Sequence, residues 1–199
     1  MPQVSAREFE RLPLRVHTLL ARVPLHDVWT IDLPHWRTGV TLDEFLRRVN
    51  NRLFKLSPLA RMLLGIRFFV GWLVGWDREP AATARETFAK RLTGDDHAHS
   101  LVPAGTPDGF FRVVYRFENE QLVEIINRTV HAAALSALVE TASAYRFYFA
   151  VYVRSVSRFT PVYMALIDPF RRLIIYPSIL DGIRARWNQA FGRASTKAP

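Results

Sequence analysis

The stretch YRFYFAVYVRS, Tyr145–Ser155, decides the fold. Tyr145, Phe147, Phe149, Val151 and Val153 alternate there with Arg146, Tyr148, Ala150, Tyr152 and Arg154. A period of two puts the first set on one face of a β-strand and the second on the other. Upstream the same period returns, with Phe111, Val113, Tyr115 and Phe117 set against Arg112, Val114 and Arg116. Glu118–Glu120 suits a turn, and Gln121–Asn127 reads as the returning strand. Thr129–Thr141 is rich in alanine but carries Val130, Leu135, Leu138 and Val139, and reads as a third strand; Ser143-Ala144 then turns into the opening stretch. Strands in succession with short turns predict an antiparallel meander with one face on a core.

The chain on either side supplies what covers that face. Thr160-Pro161 is an N-cap followed by proline at the first helical position. Tyr163, Leu166, Ile167, Phe170 and Ile174 then recur at helical spacing, and Ile179, Leu180, Ile183 and Trp187 extend the pattern past Pro169 and Pro177, where a bend or break is expected. Residues 188–199 turn polar and read as a frayed end, as do residues 1–4. At the other end, Ser5–Glu8 is a capping box that opens a helix divided or kinked at Pro13. His26–Leu33 alternates like a strand closed by Pro34, and Thr41–Glu44 opens a helix with Leu42, Phe45, Leu46, Val49 and Leu53 as its apolar side. Glu79–Arg91 suits a short helix, and Gly94–Ser100 reads as a polar loop. The expected fold class is α+β: one domain over residues 1–199, an antiparallel sheet packed on a long C-terminal helix, with extra helices between the first strand and the meander.

Leu59–Asp77, LARMLLGIRFFVGWLVGWD, is the most apolar run. It follows a Ser57-Pro58 cap, and Arg61 and Arg67 interrupt it. A membrane span needs about 20 predominantly apolar residues. A charge such as Arg67 at mid-span costs about 2.5–3.5 kcal/mol. Length and charge both disfavour a span, so the run reads as a buried helix; Gly71 and Gly75 allow a neighbouring backbone to come close. A buried Arg67 needs a carboxylate, for which Asp32, Asp77 and Asp168 are candidates, or else an anionic group on a ligand. An amphipathic anchor over Leu59–Trp76, for a membrane surface or a partner protein, is the rival reading.

Composition narrows the function classes. With 49% apolar and 23% charged residues in a chain of 199, the chain falls among globular domains and not disordered ones. No cysteine is present, which excludes disulfides, thiolate metal sites and cysteine nucleophiles. Net charge is +9, from 27 basic and 18 acidic residues, and all but three of the basic residues are arginine. They are spread along the chain and not clustered between aromatics, so no specific nucleic-acid partner is expected, only weak attraction to an anionic membrane surface. MPQVSAREFERL lacks the basic-then-apolar order of a secretory leader, and the expected compartment is the cytoplasm.

Few residues carry candidate chemistry. His97 and His99 beside Asp95 and Asp96 place two imidazoles and two carboxylates on one short segment, but spacing fixes no closed ligand set, so no metal is expected. Continuing the alternation from Val123 and Ile125 puts His131 on their face, where an imidazole can serve as a general base or bind a ligand; a structural histidine is the commoner case. No serine-nucleophile motif, phosphate-cradling glycine loop or dinucleotide fingerprint occurs, and no cofactor is expected.

Four local motifs resemble a bacterial domain-of-unknown-function family: HDVW with DLP following (His26–Trp29), GIRFFVGWLVGWD (Gly65–Asp77), NRTVHA (Asn127–Ala132) and DPFRR (Asp168–Arg172). The element order more distantly resembles the helix-grip fold of START-like ligand-binding proteins. That resemblance implies a curved sheet wrapped on the C-terminal helix with a cavity between them. The expected function is therefore non-catalytic binding of a small, largely apolar ligand, lined by Phe111, Tyr115, His131, Tyr145, Phe149 and Tyr163, with Arg67 as a possible anion contact. An enzyme acting on an apolar small molecule through His131 is the alternative.

Overall fold

The computed structural model describes residues 5–50, 87–126, 130–155, 165 and 167–192. Leu59–Asp77, Arg67 and Tyr163 lie outside the described residues, as does the Thr160-Pro161 cap.

Two short helices, α1 (Ala6–Glu10) and α2 (Arg15–Leu19), flank Pro13, and Ser5 caps the first by accepting from Glu8 N. Strand β1 spans Leu25–Pro34, and α3 spans Leu42–Arg48 with Thr41 accepting from Glu44 N. A 3₁₀ turn at Phe88–Arg91 precedes α4 (Gly94–His99). The strands β2 (Pro107–Asp108), β3 (Phe111–Arg116), β4 (Glu120–Ile126), β5 (Val130–Glu140) and β6 (Ala144–Ser155) follow, and the chain closes on α5 (Tyr176–Phe191). The strands form one curved, antiparallel, six-stranded sheet in the order β1-β6-β5-β4-β3-β2. This is an α+β, helix-grip-like architecture: a meander whose last strand also pairs with the first strand of the chain.

The sheet is covered on both faces, not one. Tyr145, Phe147, Phe149, Val151 and Val153 join Trp29, Ile31 and Leu33 against Phe45 of α3 and Leu180, Ile183, Trp187 and Phe191 of α5. Tyr148, Ala150 and Tyr152 face the other way, with Tyr115, Leu122 and Leu135, against Phe9, Val16, Leu19, Leu20 and Phe88. The tyrosines that read as outward-facing offer broad apolar rings, and the N-terminal helices cover them; β6 is consequently buried over Phe147–Val153. A near-continuous buried run is what a strand between two layers requires. Trp187 anchors the helix side. It is fully buried, its ring lies 5.1 Å from Tyr145 and 5.2 Å from Phe45, and its Nε1 donates to Pro34 O at 2.9 Å. Burying roughly 200 Å² of tryptophan at about 25 cal/mol per Å² contributes about 5 kcal/mol.

Two segments depart from the sequence reading. Gly94–His99 is a short helix and not a loop, because Thr93 and Asp96 form a capping box. The C-terminal helix continues to Phe191, which is buried, so the polar composition after Asn188 does not end it. Of the bend or break expected at Pro169 and Pro177, the structure has a local irregularity without a break. Arg171–Ile175 forms a π-helical turn between Pro169 and Pro177. Pro177 has no N–H for the Leu173 carbonyl, and a locally widened turn absorbs that loss.

Candidate functional site

Two segments far apart in sequence, His26–Trp29 and Asp168–Arg172, meet where β1 begins and α5 is about to begin. The register of β1 on β6 shifts between Leu25 and Asp27, which marks a bulge at His26. A bulge breaks the strict alternation of side chains and re-aims them. His26 and Asp27 both reach the turn that carries Asp168, Arg171 and Arg172. His26 Nε2 lies 2.9 Å from Asp168 Oδ1 and 3.5 Å from Asp27 Oδ2. Arg171 bridges the two carboxylates: Nη1 donates to Asp168 Oδ1 at 3.0 Å and Nη2 to Asp27 Oδ2 at 3.2 Å. Arg172 Nη2 pairs with Asp27 Oδ1 at 3.1 Å. Arg171 also donates to the Tyr176 hydroxyl, and burial pushes that hydroxyl well above its usual range.

Exposure is graded across this network. The Asp27 side chain is wholly buried, Arg171 is 10% exposed, His26 25% and Arg172 43%. The inner groups are locked, while His26 presents an imidazole toward solvent with a carboxylate behind it. That arrangement is capable of proton transfer to or from a bound molecule. Ligand atoms of His26, Asp27 and Asp168 also lie within 4.8 Å of one another, as a metal site needs. Both carboxylates already hold guanidinium groups, so a cation there would have to displace an arginine. Beside the network sits Trp29, 9% exposed, with its ring 5.5 Å from Tyr176. Its Nε1 is buried and has no hydrogen-bond partner among the described residues.

The expected lining residues do not converge. Phe111, Tyr145 and Phe149 belong to the α5 side of the sheet, and Tyr115 and His131 to the other. Tyr145 takes part in that side's packing through its hydroxyl, which donates to Arg37 O and accepts from Val40 N, each at 2.9 Å. Phe149 meets Tyr176 edge-on at 5.6 Å. Tyr115 changes face because β3 bulges between Val113 and Tyr115. His131 pairs with Ile126 across the hairpin, which places it with Glu124 and not with Val123. Its Nε2 lies 2.8 Å from Glu124 Oε2, and its ring stacks on Phe88 at 3.9 Å. It is fully buried, and its Nδ1 has no partner among the described residues.

That second face carries its own polar group. Arg15 holds Asp96 through two hydrogen bonds, Nε to Oδ1 and Nη2 to Oδ2, both 2.7 Å. The guanidinium keeps the Asp96 carboxyl well below the usual carboxylate range. Glu120 accepts from Arg15 N at 2.7 Å and from the Tyr115 hydroxyl at 2.9 Å, while burial pushes its carboxyl up. Of the candidate partners for Arg67, Asp77 lies outside the described residues with Arg67 itself; Asp32 pairs with Arg146 at 2.8 Å, and Asp168 with His26 and Arg171 as described. His97 is exposed, and His99 turns back onto Asp95 of its own helix at 3.1 Å.

The residues that sequence reasoning missed are His26, Asp27, Trp29, Arg171, Arg172 and Tyr176. The signal was present in HDVW and DPFRR, but nothing in their spacing shows that they meet. Residues 19–178 match a family model described as "Protein of unknown function (DUF2867)". No curated protein and no solved structure matches the chain.

Proposed function

We propose that this chain, which belongs to the DUF2867 family, binds a small, largely apolar molecule between the sheet and the C-terminal helix. The polar end of that molecule sits at Trp29 and the His26–Tyr176 network. The carrying observation is the indole N–H of Trp29, buried beside Tyr176 and without an acceptor among the described residues. A buried donor left unpaired costs about 1–3 kcal/mol. An oxygen on a ligand would satisfy it, and the aromatic side chains of Trp29, Phe149 and Tyr176 would take the apolar remainder. The distant START-like resemblance points to the same interface. A ligand site mostly apolar with a few convergent polar groups is the usual pattern.

Native mass spectrometry of the purified chain tests this reading. Expected is a bound species of small-molecule mass that survives gentle ionisation and is depleted in Trp29→Phe. A bare-chain mass from both proteins, with tryptophan fluorescence unmoved by a panel of long-chain alcohols and acids, would refute it. A second reading, acid–base chemistry on the bound molecule, is favoured by His26 alone, because it is part-exposed and backed by Asp168. On an identified substrate, equal turnover by His26→Gln and wild type would remove it.

A further inference from the structure

On the face of the sheet away from α5, a cleft of about 400 Å³ is lined by Arg15, Thr18, Leu19, Ala21, Arg22 and Arg91. That volume falls in the range of about 300–1,000 Å³ typical of small-ligand sites. We propose that this cleft is an anion site for a phosphomonoester group. Three arginines line it, and Asp96 neutralises one of them through its paired contact with Arg15. Among the described residues that leaves two positive charges on the lining, those of Arg22 and Arg91. Arg22 is exposed and forms no ion pair among the described residues.

Two of the three arginines are positioned before any ligand arrives. Arg15 is held by Asp96 and donates to the Thr18 hydroxyl. Arg91 donates from Nη1 to Leu19 O at 3.3 Å, and its guanidinium carbon lies 5.2 Å from the centre of the Phe88 ring. A guanidinium has five donors, so Arg91 keeps hydrogens for a ligand after bonding Leu19. Fixing these groups in advance lowers the ordering cost of binding. Charge selects the ligand class. A phosphomonoester carries about −1.5 to −2 at neutral pH, which matches two uncompensated arginines, whereas a single carboxylate leaves one unmatched. The planar, forked donors of arginine suit phosphate oxygens geometrically as well.

Calorimetric titration of the full chain with inorganic phosphate and with phenyl phosphate, against chloride at matched ionic strength, tests the site. A sedimentation arm uses phosphatidylcholine vesicles with and without phosphatidic acid, whose headgroup is a phosphomonoester. Saturable binding of either phosphate is expected, with Arg22→Gln and Arg91→Gln each weakening it about tenfold through loss of a charge-assisted hydrogen bond. If phosphatidic acid vesicles also retain the chain with the same dependence on both arginines, the group is a lipid headgroup; if the free phosphates alone bind, it is a soluble ester. A response no different from chloride, or one unchanged in the Arg22→Gln/Arg91→Gln double variant, overturns the proposal. Circular dichroism of the variants separates loss of the site from loss of the fold.

Discussion

Substituting Asp27 by asparagine removes the charge at the centre of the buried network and keeps the shape. The Asp27 side chain is wholly buried and meets Arg171 at 3.2 Å and Arg172 at 3.1 Å. Breaking a buried pair from one side costs about 3–5 kcal/mol, chiefly because the remaining charge is left without its partner. The two arginines differ in what they then lose. Arg172 is 43% exposed and regains water, so its pair is worth about 0–1 kcal/mol. Arg171 is 10% exposed and cannot hydrate, but it retains Asp168 at 3.0 Å and Tyr176. The expected loss is therefore at the lower end, about 3 kcal/mol. For a chain of this size that corresponds to a fall in Tm of about 6–12 °C. Urea unfolding at pH 7, followed by tryptophan fluorescence, measures it. A double-mutant cycle with Arg171→Met should show coupling above about 1 kcal/mol, since the residues share a network. A loss below about 1 kcal/mol, with no coupling, would mean that the network behaves as solvated surface charge, and the reasoning from burial would be refuted.

Two further predictions concern the opposite face. Arg15 holds the Asp96 carboxyl below its unfolded value of 3.8, so its stabilisation is complete above that pH and is lost as pH falls through the folded value. Asp96→Asn should cost about 1.5–3 kcal/mol at pH 7, and thermal denaturation at pH 7 and pH 2.5 should show the gap narrowing in acid. Glu120 has the reverse sign. Burial raises its carboxyl above 4.5, so its contribution is full below pH 4.5 and is lost as pH rises through the raised value. Glu120→Gln stays neutral, can still accept from Arg15 N, and allows the Tyr115 hydroxyl to turn and accept from the amide. Stability at pH 7–8 should rise, and its slope against pH above 4.5 should flatten, in urea titrations across that range.

The meander was legible because Tyr145–Ser155 alternates without a fault, and because the caps at Ser5 and Thr41 mark helix starts by side-chain chemistry that works locally. The covering of both faces was not. Tyr148 and Tyr152 have polar tips, and a pattern read two residues at a time treats them as outward-facing, although burial raises the Tyr152 hydroxyl like that of an interior group. Face assignment also failed where the backbone departs from regular pairing. FRVVYR reads as one even alternation, yet the irregularity between Val113 and Tyr115 moves Tyr115 to the other side. His131 suffers the same fate, because the register of a hairpin depends on its turn and not on the run before it. A one-residue slip moves every later side chain across the sheet. The short helix at Gly94–His99 was hidden for another reason: it has no apolar stripe, only the Thr93–Asp96 cap. His26 and Asp168, finally, are separated by 142 residues, and no local pattern reports that they touch.

Two departures from regular geometry fall at one place, the bulge at His26 and the π turn at Arg171–Ile175. Each gives up regular backbone hydrogen bonding, and each turns charged side chains inward. Packing alone does not call for this, since buried ion pairs are weak contributors to net stability and apolar replacements of similar volume often serve as well or better. Bulges and π turns are both found at functional sites more often than elsewhere. Here they bring His26, Asp27, Asp168, Arg171 and Arg172 to the start of the helix that packs on the sheet, beside the indole N–H of Trp29, which has no partner among the described residues. The polar cost concentrated there is the physical reason to look for a ligand at that end of the sheet–helix interface, and not along the tightly packed contacts of Trp187 with Tyr145 and Phe45.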